Sequence, residues 1–174
     1  MKYFSFYNSP LGQMLMTSDG DHLLGLDFED SKYIPKDLKN FQEKSDLKVF
    51  IQTKKWLDLY FNGQVPDFLP KIKLKGTSFR KKVWERLLEI PYGTSKTYGD
   101  LSLEIFANKK YSQALGGAVG HNPISIIVPC HRVLGADGKL TGYAGGLERK
   151  KFLLELEKIS YRKWLKWKTQ IYLK

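Results

Sequence analysis

The sequence predicts a mixed α/β (α+β) fold in which a small β-sheet and helix module precedes a mainly helical one. Three apolar runs within the first 28 residues are separated by turn signals, the strongest being Ser18-Asp19-Gly20-Asp21. Beyond Asp46, apolar residues recur mostly at helical spacing. Gly76 lies where the first pattern gives way to the second, so we divide the chain into residues 1–76 and 77–158.

The N-terminal module is predicted to contain three strands followed by one helix. The strands are expected at residues 3–7, 14–16 and 22–28. Residues 29–45 are polar and include Pro35, which predicts a loop or a short helix. Residues 46–61 carry apolar side chains at helical spacing and are followed by Asn62-Gly63, so they predict an amphipathic helix that ends there.

Helix caps organise the first part of the C-terminal module. Thr77 or Ser78 is the expected cap of its first helix, and Thr97 with Asp100 resembles a capping box that begins the second. Asn108 is the expected cap of a third helix. Two short helices joined by a tight turn predict a helix-turn-helix.

The rest of this module is predicted as a strand, a loop and a final helix. Residues 124–128 are apolar and predict a strand, which Pro129 ends because proline removes a ladder donor. Residues 141–146 form a glycine-rich loop, and residues 147–156 predict a helix. The side chains expected on the buried face of that helix are Phe152, Leu153 and Leu156.

The net charge of +11 lies almost wholly in the second half of the chain. Residues 1–76 hold 11 Lys and Arg against 10 Asp and Glu, whereas residues 77–174 hold 18 against 8. A one-sided basic half is typical of a protein that binds a polyanion, although charge that serves only solubility is the alternative. Residues 159–174 form a basic, aromatic tail, which we expect to pack its Trp and Tyr side chains on the domain; clasping DNA is the other interpretation.

The single cysteine lies in the run Pro129-Cys130-His131-Arg132. We expect the apolar run before it to bring Cys130 to a surface, where two cationic neighbours favour the thiolate. One cysteine cannot form a disulfide within the chain, so the run indicates a nucleophile; a buried structural thiol is the alternative.

The number of cysteines and the hydropathy of the sequence also predict the cellular compartment and limit the kinds of site that are expected. One cysteine, and no apolar run near the ~20 residues of a membrane span, predict a cytoplasmic protein without a membrane partner. His22 is the only Cys or His in the first 120 residues, so no metal site is expected in the N-terminal module.

Several motifs in register resemble one family. They are Thr77-Ser78-Phe79, Tyr92-Gly93, Thr97-Tyr98-Gly99-Asp100-Leu101, Ala114-Leu115-Gly116-Gly117-Ala118, Asn122-Pro123-Ile124, Pro129-Cys130-His131-Arg132-Val133 and Gly142-Tyr143-Ala144-Gly145-Gly146-Leu147. Residues 77–157 are thereby similar to the active-site domain of the O6-alkylguanine-DNA alkyltransferases, DNA repair proteins that inactivate themselves. The resemblance implies a ribonuclease-H-like N-terminal module and a winged-helix-like domain that binds DNA.

The resemblance implies a reaction for Cys130. Its sulfur is expected to attack the alkyl carbon on O6 of guanine, or on O4 of thymine, and to keep the alkyl group irreversibly. His131 would deprotonate the thiol through a water molecule, and Glu157 would orient His131. No cofactor is implied.

The same resemblance assigns residues around the base. The Tyr98 hydroxyl is expected at guanine N3, the Ala144 amide near O6, and the Asn122 side chain across the turn between the recognition helix and the active site. The other residues expected to bind the base are Tyr143, Val133 and Val119.

The damaged nucleotide must leave the duplex. The helix at residues 109–120 is expected to lie in the minor groove. The residues expected to bind DNA are Tyr111, Gln113, Ala114, Gly116, Gly117 and Arg132. Tyr111 is hypothesised to add stacking, and Arg132 is interpreted as a structural brace that also contributes positive potential. Gln113 stands where well-known members carry an intercalating arginine; it fills the same gap but supplies no charge. The expected partner is double-stranded DNA containing O6-alkylguanine, bound by a monomer.

Three other functions compete with this one. A non-catalytic sensor of alkylated DNA shares the fold but lacks the cysteine. A cysteine hydrolase would turn over and needs no basic helix-turn-helix. A helix-turn-helix regulator needs no Pro-Cys-His-Arg run.

Overall fold

The structure is a computed structural model that describes residues 1–162. The predicted tail therefore lies outside the described residues from position 163 onwards. No helix within residues 1–162 is both long enough and apolar enough to cross a membrane. The mixed α/β fold class predicted from the sequence is confirmed.

A four-stranded sheet forms the N-terminal module. Its strands are β1 (Tyr3–Ser9), β2 (Gly12–Ser18), β3 (Leu23–Phe28) and β4 (Gln42–Glu43). The order across the sheet is β3-β2-β1-β4, with β1 antiparallel to β2, β2 antiparallel to β3, and β4 parallel to β1. The three predicted strands are confirmed, and the short β4 lies in the segment that was expected to be a loop or helix.

Helix α1 (Lys48–Phe61) packs on this sheet. Its buried residues recur every three or four positions, as an amphipathic helix requires; they are Val49, Phe50, Thr53, Trp56, Leu57 and Tyr60. The helix ends at Phe61 with Asn62 as its C-cap, and Gly63 follows with φ of 75°, a left-handed value that glycine adopts without steric cost. The predicted end is confirmed.

The C-terminal module is mainly helical. Its elements are α2 (Ser78–Leu88), β5 (Lys96–Thr97), α3 (Tyr98–Phe106), α4 (Ser112–Gly120), β6 (Val133–Leu134) and α5 (Leu147–Leu156). The predicted helix-turn-helix corresponds to α3 and α4, and the short parallel pair β5–β6 accompanies them.

Side-chain caps begin these helices as predicted. The Thr77 hydroxyl accepts a hydrogen bond from Arg80 N at 3.2 Å. Thr97 and Asp100 form a reciprocal capping box, with N···O distances of 3.1 and 3.0 Å. Asn108 caps a short 3-10 helix, Lys109–Tyr111, and α4 follows it. The helix predicted over residues 109–120 is therefore two helical segments.

The strand predicted at residues 124–128 is wrong. Only Ile124 forms a β-bridge, to Leu26, and the chain then turns, with Ile126 at φ of 71°. The Val128 amide donates to the Ile124 carbonyl at 3.0 Å, closing the turn on itself. These apolar residues are buried in a turn, because local hydrogen bonds replace those of a ladder.

One hydrophobic cluster draws on both modules. It includes Met14, Leu26 and Phe28 from the sheet together with Ile124 and Leu153 from the C-terminal module. Backbone hydrogen bonds join the modules directly where β3 meets the turn after α4. The sheet therefore supports the segment that leads to Cys130.

Helix α5 buries two of the three side chains predicted for its inner face: Leu153 fully, and Leu156 in part. Phe152 is 38% exposed, whereas Lys150, Leu153 and Leu154 are buried. The apolar pattern did not indicate Lys150, because lysine is rarely fully buried.

The capping box predicts a measurable contribution to stability. In Thr97→Ala the first turn of α3 loses a cap, so the free energy of unfolding should fall by about 1 kcal/mol. Urea denaturation measures the change. Thr97→Ser keeps an accepting hydroxyl and should match the wild type; an equally stable Thr97→Ala variant would contradict the role of the cap.

Candidate active site

Cys130 begins a short 3-10 helix, Cys130–Arg132, directly after the buried turn. Its amide donates to the Val128 carbonyl at 2.8 Å, and the residue is 6% exposed. Burial raises the pKa of the thiol to about 11, although Asn122 and the charge of Lys150 oppose the rise. The expectation of an electropositive surface that favours the thiolate is therefore wrong for the protein without DNA.

A cavity of about 230 Å³ opens beside Cys130. Its lining residues from the C-terminal module are Tyr98, Gly116, Val119, Gly120, Cys130, Gly142, Tyr143 and Ala144, and the N-terminal module adds Lys32 and Tyr33. Four residues that were expected around the base, Tyr98, Val119, Tyr143 and Ala144, thus share one cavity with the thiol. Val133 does not line the cavity and is fully buried.

The capping box at the start of α3 places Tyr98 against the glycine-rich loop. A Cβ atom on Gly142 would lie 3.4 Å from the Tyr98 hydroxyl, and Gly142 has φ of 56°, so this position favours glycine. Burial and the nearby Cys130 raise the pKa of Tyr98 to about 12. Tyr98 is therefore a protonated hydrogen-bond donor at neutral pH.

His131 pairs with Glu157, the residue that follows α5. Nε2 of His131 lies 2.6 Å from Oε1 of Glu157, and both side chains are buried. Burial lowers the pKa of His131, although the carboxylate opposes this. Burial alone would raise the pKa of Glu157, but His131 and Arg132 lower it to about 2. The pair is thus a neutral imidazole and a carboxylate.

The protonation of the pair fixes the histidine tautomer. An ionised carboxylate only accepts, so Nε2 carries the hydrogen and Nδ1 holds the free lone pair. Nδ1 is buried and has no hydrogen-bond partner within residues 1–162. His131 therefore has one nitrogen available as a base.

Arg132 also donates hydrogen bonds to Glu157. Its Nε lies 2.7 Å from Glu157 Oε2, and its NH1 group donates to the Ile90 carbonyl at 2.6 Å. The residue is 8% exposed. These bonds agree with the interpretation of Arg132 as a structural brace, whereas the expectation that it contacts DNA is corrected, since the guanidinium is buried and its charge is balanced by the carboxylate.

Asn122 spans the turn before Cys130. Its amide nitrogen donates to the Val128 carbonyl at 2.7 Å, and its oxygen accepts from the Ile124 amide at 3.0 Å. A side chain with both donor and acceptor is needed to satisfy these two backbone groups. Asn122 thereby fixes the turn that positions the thiol.

Helix α4 exposes several of its residues to solvent. Gln113, Ala114 and Gly117 are exposed on it, and Tyr111 beside them is 37% exposed. A Cβ atom on Gly117 would meet no protein atom within 4 Å. The fold itself therefore does not require glycine at this position.

Two family models match the chain almost from end to end. The first, "6-O-methylguanine DNA methyltransferase, ribonuclease-like domain", matches residues 2–74. The second, "6-O-methylguanine DNA methyltransferase, DNA binding domain", matches residues 78–159. The chain belongs to the 6-O-methylguanine DNA methyltransferase family. The predicted resemblance is confirmed.

Known members of this methyltransferase family are similar over most of their length. The methylated-DNA--protein-cysteine methyltransferase of Haemophilus influenzae is 48% identical over 161 residues, which are 91% of this chain and 88% of the relative. That of Methanosarcina acetivorans is 43% identical, covering 89% and 97%. The crystal structure of Mycobacterium tuberculosis OGT in complex with DNA has a TM-score of 0.82 at 40% identity, covering 90% of this chain and 92% of that one.

Lys150 is a site residue of this methyltransferase that the sequence did not reveal. It is fully buried in α5, and its Nζ donates to the carbonyls of Val133, Thr141 and Gly142 at 2.5, 2.7 and 3.0 Å. Burial lowers its pKa to about 8. The ammonium thus ties the glycine-rich loop to the segment after Cys130, and no motif in the sequence indicated this role.

Removing the Lys150 ammonium is expected to loosen the loop. In Lys150→Met three carbonyls lose their donor, so the free energy of unfolding should fall by about 1–3 kcal/mol. Hydrogen exchange of residues 141–146 should become faster. Lys151→Met, at the next position in the helix, is the matched control. Unchanged hydrogen exchange in Lys150→Met would show that the Lys150 ammonium does not hold the loop.

Glu157 is expected to control acid stability. Its folded pKa is about 2 and its ordinary value is 4.5. Its stabilisation, about 3 kcal/mol, is complete above pH 4.5 and is lost as pH falls towards 2. Glu157→Gln should remove this pH-dependent part and destabilise the protein at pH 7 by about 3–5 kcal/mol, because Arg132 stays charged.

Urea titrations at several pH values test the role of Glu157. Exposed Glu85 on α2 offers the control substitution Glu85→Gln, which should keep the acid dependence of the wild type. An unaltered acid transition in Glu157→Gln would count against this assignment.

Proposed function

We propose that this methyltransferase repairs DNA by moving an alkyl group from O6 of guanine to its own Cys130, once per molecule. The observation that carries the proposal is the position of the Cys130 thiol in the wall of the cavity. The next residue, His131, is a neutral histidine that is hydrogen-bonded to the buried carboxylate of Glu157. In this reaction the sulfur–carbon bond forms and the carbon–O6 bond breaks. The thiol loses one proton and the guanine gains one, so the atoms balance without a further reactant.

His131 is proposed as the general base. Its pKa is lowered by burial, so it is neutral at physiological pH, and Nδ1 is the nitrogen that is free to take the thiol proton, through a water molecule. Glu157 holds Nε2–H and supports the imidazolium that forms on proton transfer. Because His131 takes the thiol proton while the alkyl group moves to sulfur, Cys130 can react although its pKa is raised.

Other residues are proposed to receive the base. Tyr98 stays protonated and would donate to N3 of guanine, which reduces the negative charge on the leaving group. The backbone amide of Ala144 would likewise donate a hydrogen bond to O6. Tyr143 and Val119 would contact the flat faces of the ring.

Helix α4 is proposed as the element that enters the minor groove. Each glycine within a helix costs roughly 0.5–1 kcal/mol relative to alanine, and the fold itself does not require glycine at Gly117. Close approach of a sugar-phosphate backbone accounts for that cost at Gly116 and Gly117. Exposed Gln113 would fill the space of the flipped nucleotide and pair with the orphaned cytosine.

Charge near α4 supports this orientation. Lys109 and Lys110 are exposed at its N-terminal end, beside Tyr111, where they would meet phosphates. The groove carries a degenerate code, which suits a repair protein that must act in any sequence. We propose that a monomer binds one lesion in double-stranded DNA.

Mass spectrometry tests the proposed transfer. The protein is mixed with a duplex containing one O6-methylguanine, and we expect a gain of one methyl group on the Cys130 peptide that saturates at one per molecule. Cys130→Ser should bind the same duplex and gain nothing.

Two results would contradict the proposal. Lesion binding with no methyl gain would indicate a sensor of alkylated DNA. Several turnovers per molecule would indicate a hydrolase.

A further inference from the structure

Tyr60 reaches the catalytic pair from the other module. It lies in the last turn of α1 and is fully buried. Its hydroxyl donates to Glu157 Oε1 at 2.7 Å and lies 3.3 Å from His131 Nε2. The ribonuclease-like module therefore contributes a polar atom to the pair proposed as the base.

We propose that Tyr60 is a positioning residue, through which the N-terminal module sets the orientation and basicity of His131. The inference rests on the proposed function, in which His131 takes the thiol proton. It assigns to the N-terminal module a part in the chemistry, in addition to its part in the fold.

The hydrogen bonds of Glu157 explain how Tyr60 acts. Oε1 accepts from Tyr60, from His131 and from Arg132 NH2 at 3.1 Å, whereas Oε2 accepts from Arg132 Nε and from the Gly93 amide at 3.1 Å. Tyr60 is thus one of the groups that fix the rotation of the carboxylate. It also draws negative charge away from the imidazole that shares the same oxygen.

Burial keeps the Tyr60 hydroxyl in the donor form. Desolvation and the Glu157 charge raise its pKa far above the ordinary value, so the hydroxyl does not ionise in the working pH range. Loss of this donor would leave more of the carboxylate charge to act on His131. The pKa of His131 would then rise, and the carboxylate would rotate more freely.

The aromatic ring of Tyr60 is held independently of its hydroxyl. It stacks on Trp56 with centroids 5.3 Å apart, and it meets Tyr92 edge to face at 6.1 Å. A phenylalanine keeps these contacts and avoids the cost of burying a hydroxyl. The hydroxyl is therefore explained by its bonds to the catalytic pair and not by packing.

The surroundings of His131 determine how its titration is interpreted. Among the residues described, the titratable and charged groups that face the pair are Tyr60 from α1, Tyr92 from the turn after α2, Cys130 and Arg132 beside it, Lys150 from α5, and Glu157. Tyr60→Phe removes only one hydroxyl from this set and leaves every formal charge in place.

The test compares Tyr60→Phe with Tyr7→Phe. The Tyr7 hydroxyl also donates to a carboxylate of the same module, Asp58 at 2.7 Å, but outside the site. Single-turnover methyl transfer is measured against pH, with lesion affinity measured in parallel. For Tyr60→Phe we expect a rate about tenfold lower, an unchanged Kd, and an acid limb shifted to higher pH; Tyr7→Phe should match the wild type.

A second measurement does not depend on activity. The imidazole of His131 is titrated by NMR with labelled histidine in a His22→Gln, His121→Gln background, which leaves one histidine in the chain. Its midpoint should rise in Tyr60→Phe. This result holds even if the wild type transfers no methyl group, so failure of the proposed function is distinguished from failure of this inference.

Two outcomes would overturn the positioning role. One is an unchanged histidine midpoint together with an unchanged rate profile. The other is a lower rate with an unchanged midpoint, since a general loss of packing would produce it. Thermal unfolding of each variant verifies that the proteins compared are folded.

Discussion

The buried carboxylate of Glu157 is the constraint on which the site depends. It accepts hydrogen bonds from α1, from the turn at Gly93, and from both His131 and Arg132. A charge removed from water is tolerated only when donors surround it and an opposite charge balances it. These donors come from both modules, so the module interface and the histidine tautomer are fixed by the same group.

Local rules predicted the elements of this fold better than its irregular parts. The capping box of Thr97 and Asp100 and the end of α1 at Gly63 follow from interactions within a few residues. The turn at 124–128 could not be predicted in this way. An apolar run is equally consistent with a strand or a buried turn, and the choice is made by the Asn122 side chain and by β3.

The candidate site shows the same limit. The Pro-Cys-His-Arg run identified the thiol, but the argument that its cationic neighbours activate it failed, because both side chains are hydrogen-bonded to Glu157. Glu157 itself was reached only through the family resemblance, since 26 positions separate it from His131. Lys150 and Tyr60 were missed because neither periodicity nor motif indicates a buried lysine on an apolar face or a tyrosine that crosses between modules.

A raised thiol pKa is consistent with a protein that reacts once. Any electrophile or oxidant that reaches Cys130 consumes the molecule, and such reactions need the thiolate and access to it. With 6% exposure and a pKa of about 11, the thiol is protected from such reactions. In the mechanism we propose, deprotonation by His131 coincides with the arrival of the substrate carbon, so the burial that suppresses unproductive reactions does not slow the productive one.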